Sequence, residues 1–195
     1  PEPGPGEALV RVERVGIDGT DHEVIEGTHG SVDGEMVVGH EAVGVVVESN
    51  ETDFGTGETV VPTVRRPPGA SNGYFRRGEP DMAPPEATYE CGIDGADGFM
   101  AEYITVPEQF LVPLPDDLRP YGFLAEPLSV TAKALELAYD SRASFAYDRE
   151  RALVLGTGSL GLLTLPVLAD DFEEVYCLGR RDTDDPAVEL ARELG

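Results

Sequence analysis

The chain has 195 residues, with 38 Asp and Glu against 14 Lys and Arg, a formal net charge of −24 and 41% hydrophobic residues. That apolar content can build a packed core and excludes wholesale disorder, while no apolar run approaches the roughly 20 residues of a membrane span. An isoelectric point near 4.2 repels phosphates and excludes a nucleic-acid binder, and two cysteines, Cys91 and Cys177, make neither a disulfide framework nor a four-cysteine zinc site.

Acid is spread along the whole chain, and Lys133 is the only lysine among the 14 basic residues. Such a balance suits a high-salt cytoplasm, where self-repulsion is screened over a Debye length of about 3 Å at molar salt. No basic segment followed by an apolar one opens the chain, so a secretory signal is not expected and the location expected is cytoplasmic. Pro1 and the stop soon after a second strand give the expectation of a fragment truncated at both ends.

From the N-terminus, Glu7 to Val15 alternates apolar and polar residues, which predicts a half-buried strand. Residues 16–23 read as a polar loop. Residues 36–48, β-branched and punctuated by glycine, predict a strand, a bend and another strand. A turn over 53–58 and a strand over 59–64 follow. Residues 65–97 are rich in Pro and Gly with little periodicity, and a connection that long inside a compact domain is usually functional or mobile. Strands are predicted at 99–106 and 110–114. The pattern then changes. Residues 124–139 have helical spacing, with Leu124, Leu128, Ala132 and Leu135 on one face. Buried strands are predicted at 151–155 and 175–178. Helices are predicted at 159–169, where Pro166 should kink or end the run, and from Pro186 over 187–194. Strand, helix, strand, helix is a right-handed βαβ unit with a parallel sheet. The fold class is therefore α/β plus β, divided into residues 1–122 and 123–195.

Leu155-Gly156-Thr157-Gly158-Ser159-Leu160-Gly161 sets G-x-G-x-x-G between a strand and a helix. Gly156 makes the turn, Gly158 lets a pyrophosphate approach the backbone, and Gly161 lets helix and strand pack closely. The free N–H groups of Ser159, Leu160 and Gly161 would then face the phosphates. An acidic residue after the second strand would hold the ribose of NAD; the chain has Gly179-Arg180-Arg181 there. Two guanidinium groups suit the 2′-phosphate of NADP. Asp182 follows and keeps NAD possible.

Gly39-His40-Glu41-Ala42-Val43-Gly44 is a plausible metal corner. Neighbouring strand residues point to opposite faces, so His40 is the better ligand and Glu41 the supporting or alternate one. Asp18, in Gly16-Ile17-Asp18-Gly19-Thr20-Asp21, and Glu126, in Ala125-Glu126-Pro127, stand in contexts that suit the same site. Three protein ligands plus water is the composition of a catalytic zinc site. Each residue also has a plainer reading: a turn residue, a core histidine, a helix-start carboxylate.

These motifs, with Val60 to Thr63, Asp97 to Tyr103 and Glu126 to Val130, resemble the zinc-dependent medium-chain dehydrogenases over nearly the whole chain. Within that family the chain is most similar to the glucose 1-dehydrogenases of halophilic archaea, through the stretches 18–24, 62–68, 80–84 and 178–181. The resemblance implies a GroES-like β-barrel catalytic domain followed by the start of a Rossmann (doubly wound parallel sheet) cofactor domain, with the active site in the cleft between them. It assigns one catalytic zinc to Asp18, His40 and Glu126, with Glu41 nearby. Most members carry Cys where Asp18 stands, and Asp is a harder ligand. It puts Thr20, Asn72, Glu90 and Glu126 against the sugar. Many relatives carry four close cysteines for a structural zinc; the loop from Pro67 to Asn72 has none, so no structural zinc is expected. A homo-oligomer, dimer or tetramer, is also implied.

The reaction implied is oxidation of D-glucose at C1 to gluconolactone, with hydride passing to NADP or NAD. Zinc would polarise the C1 hydroxyl, and Thr20 would hydrogen-bond the departing proton. A zinc dehydrogenase of another aldose, a polyol or an alcohol is the first alternative, and a non-catalytic nucleotide-binding protein the second.

Overall fold

A computed structural model of the chain describes residues 1–30, 34–145 and 149–194; the expected terminal Gly195 lies outside them. The chain divides into two compact units, Pro1–Glu126 and Pro127–Gly195.

The first unit is built on an open five-stranded antiparallel sheet. Strands β1 (Glu7–Gly16), β2 (Glu41–Asn50) and β3 (Thr59–Pro62) lie side by side. Strand β7 (Tyr103–Pro107) pairs with β1 at one edge and β8 (Leu111–Pro113) with β3 at the other. The β-barrel expected here is not closed: among the described residues no pairing joins β7 to β8. Strands of three to five residues at both edges leave little backbone for such a seam.

Alternation in β1 sends Ala8 and Val10 into a core with Val46, Val60, Val106 and Leu111. Two register shifts, after Leu9 and after Val12, bend the strand. A second cluster of Ala42, Cys91 and Phe99 lies nearer the far end of β1, against Val12 and Val15. The strand–bend–strand reading of 36–48 is corrected. One strand begins at Glu41, and residues 36–40 have no regular structure. The strand expected over 99–106 starts only at Tyr103, because Phe99 and Met100 bond instead to the carbonyls of Gly39 and Val38.

The polar loop expected over 16–23 is also corrected. Helix α1 spans Gly19–Glu26. Its eight residues bury only Asp21, so no apolar period reveals it; the capping residues that start it are described with the site. The Pro/Gly-rich stretch holds short elements: β4 (Arg65–Arg66), α2 (Gly73–Arg76), β5 (Tyr89–Cys91) and β6 (Gly95–Ala96). Strands β4, β5 and β6 form a small sheet of their own.

Helix α3 (Ala125–Arg142) starts with the last two residues of the first unit, and in the second unit it is followed by β9 (Arg151–Leu155), α4 (Ser159–Ala169), β10 (Glu174–Leu178) and α5 (Pro186–Leu194). Strands β9 and β10 are parallel, in register from Arg151 opposite Glu174 to Leu155 opposite Leu178. Pro166 lies inside α4, which continues to Ala169. In this chain β9 and β10, expected to be buried, are covered on one face. Leu153, Leu155, Tyr176 and Leu178 are exposed, Leu155 at 74%, because α4 packs on one face of a two-stranded ribbon. Of the face drawn from Leu124, Leu128, Ala132 and Leu135, Leu128 and Ala132 are exposed while Leu124 and Leu135 are half-buried, and the fully buried residues of α3 are Pro127 and Thr131. No helix of the described residues is long and apolar enough to cross a membrane.

Candidate metal centre and cofactor loop

Asp18 stands at the start of the site because it starts a helix. Its backbone is extended (φ −125°), and its Oδ1 accepts from the N–H groups of Thr20 at 2.8 Å and Asp21 at 3.2 Å. Asp21 returns the favour: its Oδ2 accepts from the Asp18 N–H at 3.1 Å, completing a reciprocal cap. The Thr20 hydroxyl donates to Asp18 Oδ2 at 3.1 Å. One turn thus fixes three polar side chains.

His40, 3% exposed, immediately precedes β2. Gly39 sets it there with φ +95°, and the Gly39 carbonyl packs against the Cα atoms of Gly92 and Gly98, where any side chain would collide. The imidazole lies between two carboxylates. Nε2 is 3.8 Å from Asp18 Oδ1, and Nδ1 is 3.4 Å from Asp21 Oδ1. Neither meets hydrogen-bond geometry, and His40 Nδ1 and Asp21 Oδ1 are buried without a partner among the described residues.

Glu41, also buried, comes from the first position of β2. Gly16 opposite makes the room: a Cβ there would collide with Glu41 Oε2. Glu126 arrives from the first turn of α3. His40, Glu41 and Glu126 each bring a ligand atom within 4.8 Å of the others, as do Asp18, Asp21 and His40. The expected set of Asp18, His40 and Glu126 is therefore distributed over two groups that share His40. Although they are neighbours in sequence, His40 and Glu41 reach the same group, because His40 lies before the pleat begins.

The electrostatics follow from crowding. Burial pushes the Glu41 carboxyl up to about 7, Asp18 adds to the rise, and His40 opposes it. Burial also raises Glu126, with His40 opposing, Asp18 adding and Arg65 opposing. Mutually repelling carboxylates beside an imidazole, with orphaned polar atoms behind it, are a donor set that a dication would satisfy. Nitrogen and carboxylate oxygen are zinc donors, and a ligating imidazole commonly gives its second N–H to a carboxylate such as Asp21. The residues present fit a zinc ion.

Glu90 lies on β5 and is held by Arg65 of β4, whose Nε donates to Glu90 Oε1 at 2.8 Å. Asn72 has a local task. Its Oδ1 accepts from the Tyr74 and Phe75 N–H groups, and its Nδ2 donates to the Ala87 carbonyl at 2.7 Å. None of these bonds involves His40, Glu41 or Glu126. The sequence reading assigned no role to Asp21 or Arg65. The spacing Asp18-x-x-Asp21, an acidic capping box, was the available signal for Asp21; for Arg65 there was none before the β4–β5 pairing was known.

In the second unit, Gly156 turns the chain with φ +124°, and its N–H bonds to the Leu178 carbonyl at 2.8 Å. A Cβ on Gly161 would strike the Gly156 carbonyl, whereas the space beside Gly158 is open. Close packing at the third glycine and free approach at the second are what a bound pyrophosphate needs. The N–H groups of Ser159 and Leu160 open the eleven-residue α4. Gly179 abuts Thr157: a Cβ would sit 2.7 Å from Thr157 Oγ1. Arg180 is exposed, and Arg181 is held by Asp185 at 3.0 Å.

The alcohol dehydrogenase GroES-like domain matches residues 4–116, and the glucose dehydrogenase C-terminus matches residues 119–195. The glucose 1-dehydrogenases of Halobacterium salinarum and Haloarcula marismortui are 56% and 57% identical to the whole of this chain. A solved structure, Haloferax mediterranei glucose dehydrogenase in complex with NADP, Zn and gluconolactone, superimposes with a TM-score of 0.92 at 56% identity, over 100% of this chain and 56% of that one. The chain spans 56% of the length of the curated relatives it matches. With more than half of its residues forming the GroES-like domain and the remainder matching the glucose dehydrogenase C-terminus, the chain belongs to the zinc-dependent medium-chain dehydrogenase family.

Proposed function

We propose that the protein oxidises D-glucose at C1 to gluconolactone and passes the hydride to NADP, with NAD as a second acceptor. The observation that carries this reading is the 56% identity to an enzyme whose solved complex holds NADP, Zn and gluconolactone, together with the carboxylate–imidazole cluster around His40. Asp18, His40 and Glu126 would hold one zinc, with Glu41 as an alternate ligand and Asp21 orienting His40. When bound, the metal supplies Lewis-acid polarisation of the C1 hydroxyl. When bound, NADP supplies the hydride acceptor.

The rest of the chemistry belongs to this chain. Because the Thr20 hydroxyl donates its hydrogen to Asp18 Oδ2, its oxygen is left as an acceptor that would hydrogen-bond the substrate hydroxyl while that hydroxyl's proton departs to water. Glu90 and Glu126 accept hydrogen bonds from the sugar hydroxyls; Asn72 would join them with the second N–H of its Nδ2, the first being donated to the Ala87 carbonyl. Gly156, Gly158, Ser159, Leu160 and Gly161 cradle the pyrophosphate with backbone N–H groups. Arg180 and Arg181 bind the 2′-phosphate, Arg180 with the freer guanidinium because Asp185 engages Arg181. The division of labour is a catalytic domain of residues 1–122 and a cofactor domain from residue 123. A homo-oligomer, dimer or tetramer, working in the cytoplasm completes the reading, in keeping with the acidity of the chain.

The test is an assay in concentrated KCl with glucose and NADP, before and after EDTA. Turnover that EDTA removes and zinc restores is expected. Turnover of another aldose with none of glucose would move the substrate, and EDTA-insensitive turnover would remove the zinc.

A further inference from the structure

The charge around His40 is lopsided. Asp18, Asp21, Glu41, Glu90 and Glu126 act on one another there. Arg65 answers them with a guanidinium that holds Glu90 directly and pulls Glu126 downward. Arg65 and Glu90 stand opposite each other in the antiparallel β4–β5 pair. Their hydrogen bond runs from Nε to Oε1. It is a single contact and not the two-pronged fork that an arginine and a carboxylate can make. Among the described residues the hydrogen bond recorded for this pair uses Nε and Oε1, which leaves Arg65 Nη1 and Nη2 and Glu90 Oε2 available for hydrogen bonds to a ligand. The side chains are 42% and 25% exposed, and an ion pair that open to solvent contributes little to stability.

We infer that Arg65 is a substrate-recognition residue: its Nε locks the Glu90 carboxylate in one orientation, and its terminal N–H groups and Glu90 Oε2 present a donor and an acceptor side by side to neighbouring hydroxyls of an aldose. This rests on the glucose-oxidising reading above. A sugar hydroxyl both donates and accepts, so an adjacent fixed donor and acceptor grip two hydroxyls at once. A carboxylate alone would accept from either and orient neither. A site of this kind rejects a sugar that lacks one of the gripped hydroxyls, because its own polar groups are then left unpaired.

The experiment is steady-state kinetics on the zinc- and NADP-loaded enzyme with glucose and with the 2-, 3-, 4- and 6-deoxy sugars. Arg65→Met is expected to raise the KM for glucose about ten-fold, the loss of a charged hydrogen bond, while kcat and the KM for NADP stay within about two-fold. Zinc content and melting temperature should not change. At least one deoxy sugar that the unsubstituted enzyme discriminates against should become equivalent to glucose in the variant. Arg65→Lys, which keeps the charge and loses the fork, is expected to share the KM defect. Combining Arg65→Met with Glu90→Gln should add nothing to Glu90→Gln alone, because the two act as a unit. A wild-type glucose KM in either Arg65 variant, full additivity with Glu90→Gln, or loss of zinc on substitution overturns the assignment. If the unsubstituted enzyme oxidises no aldose, the reaction itself falls and this role with it. If it oxidises glucose and Arg65→Met behaves like it, only the role of Arg65 falls.

Discussion

Asp21 shows how much a single buried carboxylate can do. It is 1% exposed, closes the cap of α1 through Oδ2, and turns Oδ1 toward His40 Nδ1 at 3.4 Å. Removing its charge while keeping its shape should leave the helix in place and loosen the imidazole. Asp21→Asn is therefore expected to weaken zinc binding by about 10- to 100-fold, read by competition with a chelating indicator. Unchanged affinity would mean that Asp21 only caps. The two thiols separate in the same way. Cys91 is 8% exposed, and burial pushes its thiol up, with Arg66 opposing; Cys177 is half-buried. The thiolate is the reactive form, so the raised group is starved of it near neutrality. Alkylation of the native protein at pH 8 should mark Cys177 and spare Cys91; equal labelling by mass spectrometry would contradict this.

Among the elements, the informative case is the backbone crossing at Gly39, Gly92 and Gly98. It seats His40 without any side chain of its own. Any Cβ on Gly98 runs into the Gly39 carbonyl and the Gly92 Cα, and backbone cannot move aside as a side chain can. Gly98→Ala should cost about 1–3 kcal/mol in chemical denaturation and reduce zinc content together. A stable variant that retains its metal would show that the crossing does not hold the site. Element by element, legibility followed periodicity. Strand β1 was read from its alternation and helix α3 from its spacing. Helix α1 was missed, since its start depends on side chains capping backbone and not on an apolar face. Of the two strands expected over 36–48 only the second forms, as β2 from Glu41, because Phe99 and Met100 claim the carbonyls of Gly39 and Val38, a contact about sixty residues away in sequence.

For the whole molecule, the net charge of −24 sets the conditions of stability. Salt screens the mutual repulsion of the carboxylates, so the melting temperature should rise steeply between about 0.1 M and about 3 M KCl. A flat or falling profile would remove the high-salt reading. By itself the sequence determined the class of the fold, the glycine loop, the two arginines that follow β10 and the residue types of the metal corner. These are local signals, written in spacing and composition. Tertiary structure alone decided which carboxylates meet His40, that Gly16 makes room for Glu41, that Asn72 serves a cap, and that Arg65 faces Glu90. Each depends on segments far apart in the chain arriving within a few ångströms of one another, and distance in space is what a linear pattern does not carry.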